Sequence, residues 1–188
     1  YKYHMKILAI QNRMGIGDTI IFLPFIKALS KKYNSPISLM VKENSKADQY
    51  LHQTSYIDKI INLERDNKNN KKHNGFTGVF NLIKDLKKYN FDKIFIFNSS
   101  LRFNLIARFS NIPEIYQYPL FNKAQQHIID VPKKFMKEKL NLDVNEDPEI
   151  QLDNSLLTET VKKFQIDKNK LNILLGIGGS GSTKRIPA

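Results

Sequence analysis

The chain has 188 residues, 41% of them hydrophobic and 11% aromatic, enough apolar material for a folded core and unlike a disordered or fibrous composition. Its formal net charge of +12 favours anionic partners such as phosphates, acidic sugars, nucleic acid or an anionic membrane face. The absence of cysteine excludes disulfides, thiolate nucleophiles and cysteine zinc sites, and a cytoplasmic setting fits it.

The first element is a short apolar strand, Lys6 to Gln11, which runs into the turn Asn12 to Asp18. No apolar stretch approaches the ~18 residues of a membrane span, and the one after Met5 is too short for a signal-peptide core. Tyr1 to His4 precede Met5, a plausible initiator, and stay outside the functional argument. Phe22, Phe25, Ile26, Leu29 and Tyr33 then recur at helical spacing, with Pro24 expected to kink that helix or delay its start. Further strands are expected at Ile37 to Val41, Ile60 to Leu63, Ile94 to Phe97 and Leu171 to Ile177. Between them, Val79, Phe80, Ile83 and Leu86 mark one helix, and Leu101, Leu105, Ile106 and Phe109 mark another that ends near Asn111. Residues 120–153 are less regular, with a helix at Val131 to Leu140, and a polar helix at Leu156 to Gln165 reads as a connector. Strand and helix in alternation predict a doubly wound parallel α/β sheet, whose ligands sit beyond the strand C-termini.

Gly15 and Gly17, with Arg13 beside them, form a tight turn that lets backbone approach a ligand. Asp18 at the start of the following helix reads either as a cap or as a general base, since a helix N-terminus stabilises its charge. Ile20 stands where the G-x-G-x-x-G fingerprint needs a third small residue, which disfavours a dinucleotide-dependent oxidoreductase. The terminal loop from Gly176 to Pro187 follows a strand and combines Gly179 and Gly181 with Ser182, Thr183 and Lys184, a composition suited to a phosphate group. It is not a Walker A loop, because Ser182 occupies the lysine position. Residues 64–75, with Lys72, form a basic loop on the same side of the sheet as Asp18, and Ser100 and Arg102 lie just past the fourth strand. These read as an acceptor-binding set or as ordinary solvated loop and helix residues. His4, His52, His73 and His127 show no ligand spacing, so no metal site is expected. The positive charge also admits a nucleic-acid-binding module, but the aromatic residues fall mostly at core spacing rather than on a basic stripe.

Met5 to Ile10, Gly17-Asp18, Pro24, Ala28-Leu29 and Tyr33 together resemble the N-terminus of glycosyltransferase family 9, the lipopolysaccharide heptosyltransferases. Leu101-Arg102 with Leu105 to Arg108 is similar to that family's middle segment, and Gly178 to Pro187 to its Lys-x-Trp-Pro loop, with Ile186 in place of tryptophan. The resemblance implies a GT-B fold: residues 5–153 the Rossmann-like acceptor domain, 154–170 a connector, and 171–188 the first strand and phosphate loop of a truncated donor domain. It implies inverting, metal-free transfer of a heptose or related sugar from a nucleotide sugar, ADP-heptose, to a lipopolysaccharide core or similar anionic glycan. Asp18 would be the base, and Ser182, Thr183 and Lys184 would hold the departing diphosphate. The implied location is the bacterial cytoplasm, peripheral on the inner membrane, with no nucleic acid as partner. A chain ending at Ala188 is expected to show little turnover alone.

Overall fold

The computed structural model describes residues 4–13, 15–65, 71–120, 127–167 and 169–175. Five parallel strands, β1 (Ile7–Ile10), β2 (Ile37–Lys42), β3 (Ile57–Leu63), β4 (Lys93–Ile96) and β5 (Glu114–Gln117), lie in the order β3-β2-β1-β4-β5. Helices α1 (Ile16–Tyr33), α3 (Thr77–Lys87), α4 (Leu101–Phe109) and α5 (Asp130–Leu140) flank them, with a single turn α2 (Ala47–Tyr50) after β2. This is the expected Rossmann-like doubly wound sheet.

Successive side chains of a strand point to opposite faces, so β1 feeds two cores. Ile7 and Ala9 join Leu39, Val41, Phe95 and Phe97 under α1 and α5. Leu8 and Ile10 join Met40, Ile94 and Ile96 under α3 and α4. All four β1 side chains are buried, which is why this strand reads as an unbroken apolar run.

Several local features depart from the sequence pattern. Helix α1 starts at Ile16 and continues through the buried Pro24, so the proline does not delay it; the ring withdraws only the N–H that would bond the Ile20 carbonyl. Strand β5 was not foreseen, because Glu114 to Gln117 form a short, partly exposed edge strand without a long apolar run. It is held by the ion pair of the buried Lys93 with Glu114, its register partner, and by Phe95 stacked 4.7 Å from Tyr116. Phe80, Leu105 and Phe109 have helical spacing but are exposed, so that spacing does not mark a core face.

Four helix exits use asparagine in the left-handed region: Asn34, Asn90, Asn111 and Asn141. A short polar side chain tolerates that conformation better than other non-glycine residues, so an asparagine-rich chain ends helices without glycine.

Residues 1–151 and 152–188 form separate compact units. In the first, residues 141–151 strap α1 through Glu146, which pairs with Lys27 at 3.1 Å and with Lys31. In the second, α6 (Asn154–Lys163) is capped by Asp153, whose carboxylate accepts from the Ser155 N–H at 3.0 Å. Residues 171–175 form no strand, and Leu171, Ile173, Leu174 and Leu175 are exposed; the expected strand has no ladder neighbour among the described residues.

Gly78 in the first turn of α3 packs against the chain at His73: an added Cβ would fall 2.1 Å from its carbonyl carbon. Gly78→Ala should therefore destabilise the protein by roughly 2–3 kcal/mol in urea denaturation, since backbone rather than a flexible side chain would have to move.

Candidate functional site

The strand order reverses between β1 and β4, the position at which α/β sheets open a crevice at their carboxyl edge. The chain leaving β1 turns into α1 on one face, and the chain leaving β4 turns into α4 on the other. Arg13, Gly15, Gly17 and Asp18 lie after β1, and Ser100 and Arg102 after β4, so the fold brings these two sets to adjacent strand ends.

Gly15, not Asp18, is the N-cap of α1. Its φ of 106° and ψ of 162° suit glycine alone, which explains why the turn is built on it. Asp18 sits in the first helical turn, half-buried, with Oδ2 3.7 Å from the point where a Gly15 side chain would begin. No hydrogen bond or ion pair engages its carboxylate among the described residues, and the positive end of the α1 dipole faces it. A Cβ at the exposed Gly17 would meet nothing within 4 Å, which leaves open ground above the helix start.

Two carboxamides absent from the sequence reading fix the loops. Gln11, 1% exposed, donates from Nε2 to the Asp18 carbonyl at 3.2 Å and accepts the Arg13 N–H at 3.0 Å. Gln117 at the end of β5 donates to the carbonyls of Asn98 (3.0 Å) and Ser100 (2.9 Å) and accepts from Asn104 at 2.8 Å. For Gln11 the available signal was a polar residue closing an apolar strand; Gln117 ends the short, partly polar β5 and carried no such signal. Asn98 in turn accepts the Ser100 N–H at 2.9 Å, so Ser100 starts α4 through its backbone and not through a side-chain cap.

Tyr118 follows Gln117 and is buried, with Phe97 and Phe135 edge-on at 6.0 and 5.1 Å. Its hydroxyl and the Asn98 amide nitrogen are buried without hydrogen-bond partners among the described residues. Burial pushes the phenol well above its usual range, against the opposing pull of the Arg13 cation.

The basic loop beyond β3 is tied down. Arg102 donates to the carbonyls of Gly75 and His73, both at 2.7 Å. Burial, and to a lesser degree repulsion by Arg65, lower its proton affinity. Lys72 is paired with Asp85, as is Lys88 at 3.2 Å. The buried His73 accepts the Glu64 N–H on Nδ1 at 3.1 Å, so Nε2 carries the proton and donates to Asp85 at 3.3 Å. Arg102 and Lys72 thus hold structure at the positions where the sequence suggested acceptor contacts. Gly179, Gly181, Ser182, Thr183 and Lys184 lie outside the described residues. Among those described, no three His, Asp or Glu side chains converge as metal ligands, and no helix is long and apolar enough to cross a membrane.

The structure is similar to a glycosyltransferase family 9 protein from Veillonella parvula DSM 2008, with a TM-score of 0.72 and 18% identity over 100% of this chain and 58% of that one. The fold is that of about half of a family 9 glycosyltransferase. It is also similar to the E. coli ADP-heptose LPS heptosyltransferase II, with a TM-score of 0.59 and 17% identity over 87% of this chain and 52% of that one. A third similar structure, E. coli heptosyltransferase WaaC with ADP, has a TM-score of 0.50 and 13% identity, over 76% of this chain and 49% of that one. The chain thus spans about half the length of these structures. No protein-family model matches the sequence, and neither does any curated protein.

Partial burial raises the affinity of Asp85 for a proton, but hydrogen bonds from Lys72, His73 and Lys88 outweigh it and hold the carboxyl at about 2. A group whose pKa is lowered on folding stabilises the fold above its unfolded value and loses that contribution as pH falls. Asp85→Asn should therefore cost about 2 kcal/mol in denaturation at pH 6, and the gap to the native protein should close between roughly pH 4 and pH 2. Gln11→Ala should cost about 1–3 kcal/mol by the same measurement, because it leaves the Arg13 N–H and the Asp18 carbonyl without their buried partner.

Proposed function

We propose that this chain is the acceptor-side half of an inverting glycosyltransferase that moves a heptose or related sugar from a nucleotide sugar to a lipopolysaccharide core or similar surface glycan. The observation that carries the reading is the unengaged Asp18 carboxylate at the start of α1, in the switch-point crevice of a fold shared with family 9 transferases.

Asp18 accepts the proton of the acceptor hydroxyl as its oxygen forms a bond to the anomeric carbon, and the bond from that carbon to the donor diphosphate breaks on the opposite side. Gln11 positions the turn that carries Asp18. Arg13 flanks the crevice and brings it positive charge of the kind an anionic, phosphorylated acceptor requires. The donor is ADP-heptose in this reading, as the names of two similar heptosyltransferase structures suggest. Backbone amides at Gly179 and Gly181, with Ser182, Thr183 and Lys184, would neutralise the departing diphosphate, so the reaction calls for no metal. The reaction takes place on the cytoplasmic side of the membrane that holds a glycolipid acceptor.

In the full-length protein, Asp18→Asn should lower kcat by about 10²–10⁴ while leaving donor affinity within twofold, as read by product formation and by calorimetric titration. Transfer at the native rate would remove Asp18 from the reaction and this reading with it.

A further inference from the structure

Between α3 and α4 the surface opens into a groove of about 670 Å³, lined by Phe76, Val79, Phe80, Ile83, Leu105 and Phe109. Phe76 is 79% exposed, Phe80 60% and Phe109 61%, an outlay of aromatic surface that no described residue covers. Phe76 and Phe80, one helical turn apart, meet edge to face with centroids 5.4 Å apart.

The rim is positive. Helices α3 and α4 carry Lys84, Lys87, Arg102 and Arg108 and a single acid, Asp85, which is already engaged by Lys72, His73 and Lys88. Helix α4 has no acidic residue at all. Lys87 and Arg102 stand at the groove itself.

We propose that this face docks on an anionic lipid bilayer, with Phe76, Phe80 and Phe109 entering the headgroup boundary and Lys84, Lys87 and Arg108 meeting lipid phosphates. Apolar side chains ringed by cations, with no unpaired acid between them, match the two attractions a charged bilayer offers. A second copy of the chain fits less well, since a two-fold contact would press two positive rims together. A single-stranded nucleic acid also fits less well, because its bases need flat ring faces, whereas Phe76 and Phe80 meet edge to face. The inference does not depend on the transfer reaction.

The test is co-sedimentation of the full-length protein with phosphatidylglycerol vesicles and with phosphatidylcholine vesicles, at low and high salt. Binding is expected to the anionic vesicles and to weaken with salt. The triple substitution Phe76→Ser, Phe80→Ser, Phe109→Ser should reduce it by about tenfold or more with an unchanged thermal melt, because these rings are exposed. The pair Lys84→Glu, Lys87→Glu provides a second variant and should abolish the preference for anionic lipid. Failure of the native protein to bind vesicles, or native-level binding by both variants, would overturn the proposal. Self-association, or oligonucleotide binding, that the serine variant loses while vesicles stay unbound would assign the groove to that other partner instead.

Discussion

Strand β1 is bonded on both sides, to β2 and to β4, and its four side chains are buried on both faces. With no free edge and no exposed side chain, it reaches a ligand only through an end, and its carboxyl end lies at the switch point. The chain must leave that end toward one face, while β4 beside it leaves toward the other, and the two departures open the crevice between them. The placement of Asp18 follows from this constraint: a short turn through Gly15 puts the first turn of α1, and its carboxylate, at the mouth of the opening.

A crevice made of two loops is useful for chemistry only if the loops hold still, and here each is pinned by a glutamine at the end of a strand. Gln11 ties the β1 turn to itself, and Gln117 ties the β4 turn to the edge strand. The edge strand is held in turn by Lys93 and Glu114, an ion pair within its register. The outermost element of the sheet thus contributes to the centre of the site. The Tyr118 hydroxyl and the Asn98 amide nitrogen, buried and without hydrogen-bond partners among the described residues, lie on this same route.

The surplus of positive charge is spread unevenly. Along α1, Lys27 and Lys31 are answered by Glu146 and Glu149 of the strap, and beyond β3 Asp85 gathers Lys72, Lys88 and His73. Burial of His73 and the two carbonyl contacts of Arg102 turn the 71–75 segment into a braced shelf rather than a free basic loop. On α3 and α4, Lys84, Lys87 and Arg108 stand next to exposed phenylalanines, so the local setting and not the overall +12 marks a surface where charge has a use.

By itself the sequence determined the alternation of buried strands and helices, the turn at Gly15 to Asp18 and the direction in which the strands point their loops, because apolar runs and glycine chemistry are local properties. Position of Asp18 in the first turn was legible; whether its carboxylate was spent on capping was not, since a cap is a hydrogen bond between placed atoms. Only the tertiary structure decided that Gly15 takes the cap position, that Arg102 and Lys72 brace the shelf, and that Gln11 and Gln117 hold the crevice. It also turned Phe80 and Phe109 outward. Helical spacing shows which residues share a stripe, but what that stripe faces depends on the neighbouring elements, and no described element packs over the groove between α3 and α4.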